Sequence, residues 1–331
     1  NQLLALPLSA RGAMLGVLIA DYDSAIHQFT NREMTLYIGM ANQVAGALES
    51  ALLAEEASKV ARLEGELRVA RDIQTALLPA TTPSQPGWDI AADWRSARLV
   101  GGDFYDFWYL PQLSAQPVSS APNVVVDPSA AQAASRQLGF VIADVSDKGV
   151  PAAMFMALSR SLVRAAALDG SSPAVALTRA NRWITRDSES AMFVTLFYGM
   201  LQLESGALCY TCAGHNPPLL FPADGRPPIE LTTPGIALGV LEEISLTQRD
   251  VEIAPGDILV CYTDGVTEAI DINDEPFGVA RLVEVVQAHR EQSAAGIVQA
   301  INAALAQFTG GRPPFDDVTL VVLKRQPPAG Q

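Results

Sequence analysis

Apolar and polar positions change period several times along the chain, and each change marks an element. Leu3 to Leu8 and Met14 to Ala20 read as short strands on either side of an Arg11-Gly12 turn, and a long amphipathic helix begins at about Thr30. From Glu49 to Leu78 there is no Pro and a single Gly. Within that stretch Val60, Leu63, Leu67, Ala70, Gln74 and Leu77 recur on alternating three- and four-residue steps, until Pro79 and Pro83 stop the helix. The spacing suits a coiled-coil or signalling helix; a single amphipathic helix packed on the next domain has the same pattern. Residues 86 to 325 then alternate strands with helical stretches at about Pro151 to Leu168, Pro173 to Glu189 and Val279 to Phe308. The tract between Leu110 and Gln137 is rich in Ser, Ala, Pro and Gln, with Asp127 and Arg136 its only charges, and reads as a long surface loop between two strands.

Composition narrows the class. A chain of 331 residues with 49% hydrophobic content can bury a sizeable core, and its length favours two domains over one. A formal charge of -14 repels a phosphodiester backbone, so nucleic acid is not an expected partner. No apolar run approaches the roughly 18 residues that span a bilayer, and no charged n-region precedes an apolar segment, so a cytoplasmic protein away from membranes is expected. Cys209 and Cys212 have the gap of a redox or zinc pair, yet on an extended strand residues i and i+3 point to opposite faces. With Cys261 they read as core thiols in a reducing compartment.

The chemistry is carried by acidic residues that border β-type runs more than two hundred residues apart: Asp103, Asp144, Asp264 and the pair Asp316-Asp317. Taken singly, each reads as a strand-end turn or a cap. Taken together they read as one metal site assembled by folding, and their spacing excludes a local calcium loop. Hard ions such as Mg²⁺ and Mn²⁺ take oxygen ligands, and two of them about 3.5–4 Å apart can activate one water. The three histidines, His27, His215 and His289, are scattered, which disfavours zinc, and no Gly-rich nucleotide loop precedes a helix.

Six motifs follow one another in order: Arg71 to Pro79 (RDIQTALLP), Val100 to Asp106 (VGGDFYD), Ala143 to Ala153 (ADVSDKGVPAA), Ala213 to Pro218 (AGHNPP), Tyr262 to Glu268 (YTDGVTE) and Asp316 to Thr319 (DDVT). Together they resemble the stage II sporulation protein E branch of the metal-dependent protein phosphatases (PPM, phosphatase 2C-like), over about residues 68 to 325. The resemblance implies an α+β fold, a four-layer α-β-β-α sandwich of two antiparallel sheets, with a dinuclear Mn²⁺ or Mg²⁺ centre at one end. It further implies that Asp144 bridges both ions, that the Val145 carbonyl completes one coordination sphere, and that Asp264 and Asp316 hold the other ion. Asp103 would bind directly or through waters, and Asp317 is a further candidate ligand that otherwise supports a water or caps the turn. Asp147-Lys148 departs from the more usual Gly followed by His or Lys, so Asp147 either binds an extra ion weakly or faces solvent. His215 is expected to shape a turn, with a general-acid role as the alternative. Arg98, five residues before Asp103, is a candidate for the substrate phosphate against a surface salt bridge. Asp271 to Gly278 has the look of a flap.

What the resemblance implies for function is hydrolysis of phosphoserine on a regulatory protein, a phosphorylated STAS-type anti-sigma-factor antagonist, within a partner-switching pathway. A catalytically silent binding module with the same fold is the alternative, opposed by the retention of several mutually repelling carboxylates. Upstream, Leu6-Pro7-Leu8, Leu15 to Leu18, Phe29-Thr30 and Ala41 to Glu49 resemble the closing third of a GAF sensor domain. The expected division is 1–52 GAF-like, 53–85 linker helix and 86–331 phosphatase, with a homodimer formed through the linker helix.

Overall fold

The computed structural model describes residues 2–22, 29–110, 137–187 and 192–327. The expected loop between Leu110 and Gln137 lies almost wholly outside them, as does His27.

Two compact units divide the chain, Asn1–Val69 and Ala70–Gln331. In the first, β1 (Gln2–Ala10) pairs antiparallel with β2 (Ala13–Tyr22) across Arg11 and Gly12, whose positive φ values of 47° and 84° make the tight reversal. Helix α1 starts with a capping box: Thr30 N donates to Glu33 Oε2 at 2.8 Å and Glu33 N donates to Thr30 Oγ1 at 3.3 Å. It runs unbroken over Asn31–Leu77, so the anticipated boundary between sensor and linker at residue 52 is not marked by any break in secondary structure. Leu6, Leu8, Ala41 and Ala45 form a small core. Val60 and Leu63 on the heptad steps stay exposed.

In the second unit, with β6 (Val194–Gln202), β7 (Ala207–Ala213), β8 (Leu219–Phe221), β9 (Ile229–Glu230) and β10 (Arg249–Glu252), one five-stranded sheet has the order β10-β7-β6-β5-β4, and the other β3-β12-β11-β8-β9. The strands that matter for the site are β3 (Trp88–Arg95), β4 (Phe104–Leu110), β5 (Gln137–Val145), β11 (Ile258–Tyr262) and β12 (Val318–Arg325). Period-2 alternation sorts their side chains into layers. Leu138, Phe140 and Ile142 of β5 meet Leu259, Cys261, Val321 and Leu323 of the other sheet in the central core. The opposite faces of the two sheets are covered by helices: Val141, Ala143 and Val145 pack with α2 (Val150–Ala167) and α3 (Pro173–Asp187), while Val260, Leu320 and Val322 pack with two further helices. This is the four-layer α-β-β-α sandwich. After the single turn α4 (Asp264–Thr267), the stretch expected as one helix from Val279 to Phe308 is two, α5 (Gly278–Ala288) and α6 (Ala294–Phe308). The break arises because Ser293 leaves the helical conformation and its hydroxyl caps Gly296 N at 3.1 Å, a local signal that apolar periodicity hides.

Free Cys209, Cys212 and Cys261 lie in the sheets, and burial raises the thiol pKa of each, Cys209 to about 12. Cys212 and Cys261 are buried core thiols, as expected, whereas Cys209 is only part-buried. Among the described residues no helix is long and apolar enough to cross a membrane.

Candidate active site

Antiparallel pairing brings the acidic residues together. Asp103 immediately precedes β4 and Asp144 is the penultimate residue of β5; because Phe104 is opposite Ala143, both fall at the same end of the hairpin. In the second sheet β11 ends at Tyr262, just before Asp264, and β12 begins at Val318, just after Asp316-Asp317, with Tyr262 opposite Leu320. The two hairpins therefore present their acidic ends on one edge of the sandwich.

The inner part of this edge is a hydrogen-bond network. Asp103 is buried, and its Oδ2 accepts from Thr263 Oγ1 at 2.7 Å and Thr319 Oγ1 at 2.6 Å. Asp317 is buried too, and its two oxygens accept from the backbone amides of Ala97 (2.8 Å), Gly102 (2.6 Å) and, at 3.4 Å, Asp103. Those amides occupy the carboxylate, so Asp317 serves as the clamp that shapes the Gly101-Gly102 loop, while Asp316 lies part-exposed with Lys148 against its Oδ2. Glycine is required here: a Cβ on Gly101 would collide with the Asp317 carboxylate, and one on Gly265 with the Asp317 carbonyl oxygen. Gly102 lies close enough to the Val145 carbonyl that an added Cβ would stand 3.0 Å from its oxygen.

The outer part is electrostatically loaded. Burial, then the neighbouring Asp264 charge, pushes Asp144 up to about 7, although a hydrogen bond with Asp103 works the other way. Burial and then Asp144 and Asp317 hold Asp103 well above the usual carboxylate range. Asp264 is raised by burial, then by Asp316 and Glu268. The charge that faces them is Lys148, whose Nζ lies 2.7 Å from Asp316 Oδ2, donates to the Phe315 carbonyl at 3.1 Å and sits 4.1 Å above the Phe315 ring. Among the described residues no three Asp, Glu, His or Cys side chains already converge on a common ion position. The donor set nevertheless fits hard divalent cations: four carboxylates, of which Asp103, Asp144 and Asp264 have raised pKa values, one backbone carbonyl, and no sulfur or imidazole among them.

Other candidates resolve differently. Asp147 is exposed at a positive φ of 77°, and its Oδ1 accepts from Lys148 N at 2.8 Å, so it closes its own turn. His215 is buried, its pKa lowered by that burial to about 3, with Nδ1 3.1 Å from Thr195 Oγ1 and its backbone carbonyl 3.1 Å from Cys212 Sγ, contacts that tie the turn. Arg98 is exposed beside the Gly101 loop. Asp271 to Gly278 forms a turn tied by Asp271 Oδ1 to the amides of Asn273 and Glu275.

Several supporting residues escaped the sequence reading. Gln74, placed on the heptad seam by its spacing, is buried, accepts from Gly101 N at 3.0 Å and donates to Gly101 O at 2.5 Å. A polar residue on an otherwise apolar seam was the available signal. Asp106 is buried and paired with Arg160 and Arg164 at 2.9 Å, fixing α2 to β4. The i,i+4 arginine spacing opposite an acid in a strand gave no unique pairing in advance.

A family-wide profile described as Stage II sporulation protein E (SpoIIE) matches residues 134–326. The chain belongs to the SpoIIE family. Among curated relatives of this SpoIIE-family chain, Protein IcfG of Synechocystis is 32% identical over 340 residues, covering 92% of this chain and 48% of IcfG. Phosphoserine phosphatase RsbU of Bacillus subtilis is 27% identical over 267 residues, covering 80% of this chain and 71% of RsbU. The chain thus spans about half the length of IcfG. Among solved structures, the SiaA-PP2C domain of Pseudomonas aeruginosa superposes with a TM-score of 0.64 at 22% identity, over 81% of this chain and 99% of that domain, a likeness of fold.

Proposed function

We propose that this chain is a metal-dependent protein serine/threonine phosphatase acting on phosphoserine. The observation that carries the reading is the convergence of Asp103, Asp144, Asp264 and Asp316 on one edge of the sandwich, where they share charge and face a single lysine. Two Mn²⁺ or Mg²⁺ ions are the cofactors, held by Asp144, the Val145 carbonyl, Asp264 and Asp316, with Asp103 beside them. Bound there, they supply charge neutralisation to a phosphoryl group and acidity to its attacking water. The chain's own residues do the rest. The Thr263 and Thr319 hydroxyls fix the Asp103 carboxyl, Asp317 holds the Gly102 loop against the site, and Arg98 offers a guanidinium to phosphate oxygens. Attack of water on phosphorus breaks the ester bond, and the serine oxygen leaves with a proton.

The substrate in this reading is a STAS-type anti-sigma-factor antagonist carrying phosphoserine; the phosphoserine part is in keeping with the name of the RsbU relative. The first 52 residues act as part of a GAF-like sensor in the cytoplasm, and the exposed Val60 and Leu63 of α1 mark the seam of a homodimer. p-Nitrophenyl phosphate hydrolysis that requires Mn²⁺ and stops with EDTA is the expected result; turnover indifferent to EDTA, or none at any Mn²⁺ concentration from folded protein, would reject the phosphatase reading. Sedimentation tests the dimer: Leu67→Asp should convert it to monomer, and a wild type already monomeric at micromolar concentration removes the dimer.

A further inference from the structure

Alongside the carboxylate cluster lies a groove of about 560 Å³, whose near end is formed by Gly265 and Phe315, the chain neighbours of Asp264 and Asp316. Its charged lining is Arg95, Arg98 and Arg312; its apolar lining includes Ile270, Leu305 and Phe315, and no Asp or Glu is among the described residues that line it. We propose that this groove takes an acidic segment of the phosphoprotein substrate, flanking the phosphoserine, and thereby selects which phosphoproteins the site accepts. The proposal rests on the phosphatase reading above.

The three guanidinium groups are not equivalent. Arg95 is committed to Asp93 at 3.1 Å and to Asn302, so it shapes the wall. The Arg98 side chain makes no ion pair among the described residues, and Arg312 donates only to the Asp271 carbonyl, at 3.3 Å. Two cations without an acidic partner, Arg98 towards the phosphate and Arg312 for the flanking carboxylates, run against a formal charge of -14 for the chain, and such local reversal attracts carboxylates while the rest of the surface repels them. The same overall charge disfavours nucleic acid. The apolar component matters as well: Phe315 is 75% exposed and Ile270 36%, offering an aliphatic and aromatic surface for the stems of Asp, Glu and neighbouring apolar residues. Continuity with Asp316 means that a peptide lying in the groove leads its phosphoserine directly to the acidic edge.

The test uses the full chain with Mn²⁺ and two synthetic phosphoserine peptides, identical except that one carries Asp and Glu beside the phosphoserine and the other Lys. Wild type should favour the acidic peptide by about tenfold in kcat/KM at low salt, with the preference shrinking as salt rises. Arg312→Glu should shift the preference towards the Lys peptide, a reversal that misfolding does not produce, while Arg312→Lys keeps the acidic preference. Equal kcat/KM for both peptides in wild type, or an unchanged preference in Arg312→Glu, overturns the proposal. Should neither peptide nor p-nitrophenyl phosphate be turned over, the phosphatase reading fails separately, and fluorescence anisotropy with a labelled acidic phosphonate peptide decides the groove: binding that Arg312→Glu abolishes supports it, and no binding overturns it.

Discussion

The acidic edge has two zones built from the same residue type to opposite ends. In the inner zone Asp317 accepts backbone amides at both oxygens and Asp103 accepts two threonine hydroxyls at Oδ2, so these buried carboxyls are anchored by donors within the protein. In the outer zone Asp144, Asp264 and Asp316 meet mainly each other, with Lys148 as the facing cation. Carboxylates anchored by donors act as framework, whereas carboxylates that repel one another store an affinity for cations. Adjacent Asp316 and Asp317 fall on either side of this division because the bend at Phe315-Asp316 turns one carboxylate towards Lys148, while the other is drawn to the amides of Ala97 and Gly102.

The sharpest way to break the comparison is to neutralise each member of that pair. Asp317→Asn keeps the shape but turns an NH₂ group towards backbone N–H groups, leaving a buried donor unpaired, so chemical denaturation should show a loss of about 2–4 kcal/mol. Asp316→Asn should change stability by less than about 1 kcal/mol and instead raise the Mn²⁺ concentration needed for turnover. Equal destabilisation by the two would erase the distinction between framework and ligand.

Asp144→Asn comes next and has the opposite sign. Removing one repelling charge should stabilise the metal-free protein by on the order of 1–3 kcal/mol at pH 8 while abolishing turnover. A metal-free variant no more stable than wild type would show that the outer carboxylates are not in mutual strain.

The pH dependence of stability separates the same forces. Asp144, at about 7 when folded against an ordinary 3.8, binds more protons folded than unfolded between those values, so its contribution falls as pH rises through that window. His215, at about 3 when folded against 6.5, binds more protons unfolded, so its contribution rises with pH between 3 and 6.5. The two oppose each other below about 6.5; above it the histidine no longer contributes, and Asp144 acts together with the raised Asp103 carboxyl in the same direction. Metal-free protein should therefore lose Tm on going from pH 6.5 to 7.5, and saturating Mn²⁺ should remove that loss, because the cation holds the carboxylates ionised. A Tm that falls equally with and without Mn²⁺ would place the effect outside this cluster.

Much of this was legible beforehand and some was not, for physical reasons. The strand-end positions of Asp103, Asp144, Asp264 and Asp316 were readable because β-type runs border them and two sheets must close on one core. The long helix through residues 53–77 was readable from its heptad steps, yet Gln74 was misplaced among the seam residues, since periodicity reports a helix face and not what that face meets. The split at Ser293 was hidden for the same reason: one hydroxyl cap outweighs an apolar pattern that runs across it. The separate duties of Asp316 and Asp317 depended on three amides, all more than two hundred residues away, whose positions only the folded sheets define.

The smallest expected effect concerns Lys148, which stands between the two zones. Its ammonium pairs with Asp316 at 2.7 Å with both side chains about 30% exposed, and such half-exposed pairs are worth roughly 0.5–1 kcal/mol. An arriving cation must compete with this ammonium for Asp316. Lys148→Met keeps the length of the stem and its contact with the Phe315 ring while removing the charge, so calorimetric titration should show Mn²⁺ binding tightened by about two- to fivefold, the equivalent of the lost ion pair. The change should be confined to the ion that Asp316 contacts, and stability in EDTA should move little because Asp317, not Lys148, holds the loop. Weaker Mn²⁺ binding in Lys148→Met would mean that the lysine orients Asp316 towards the ion more than it competes with it, and the outer zone would then be partly organised before the metal arrives.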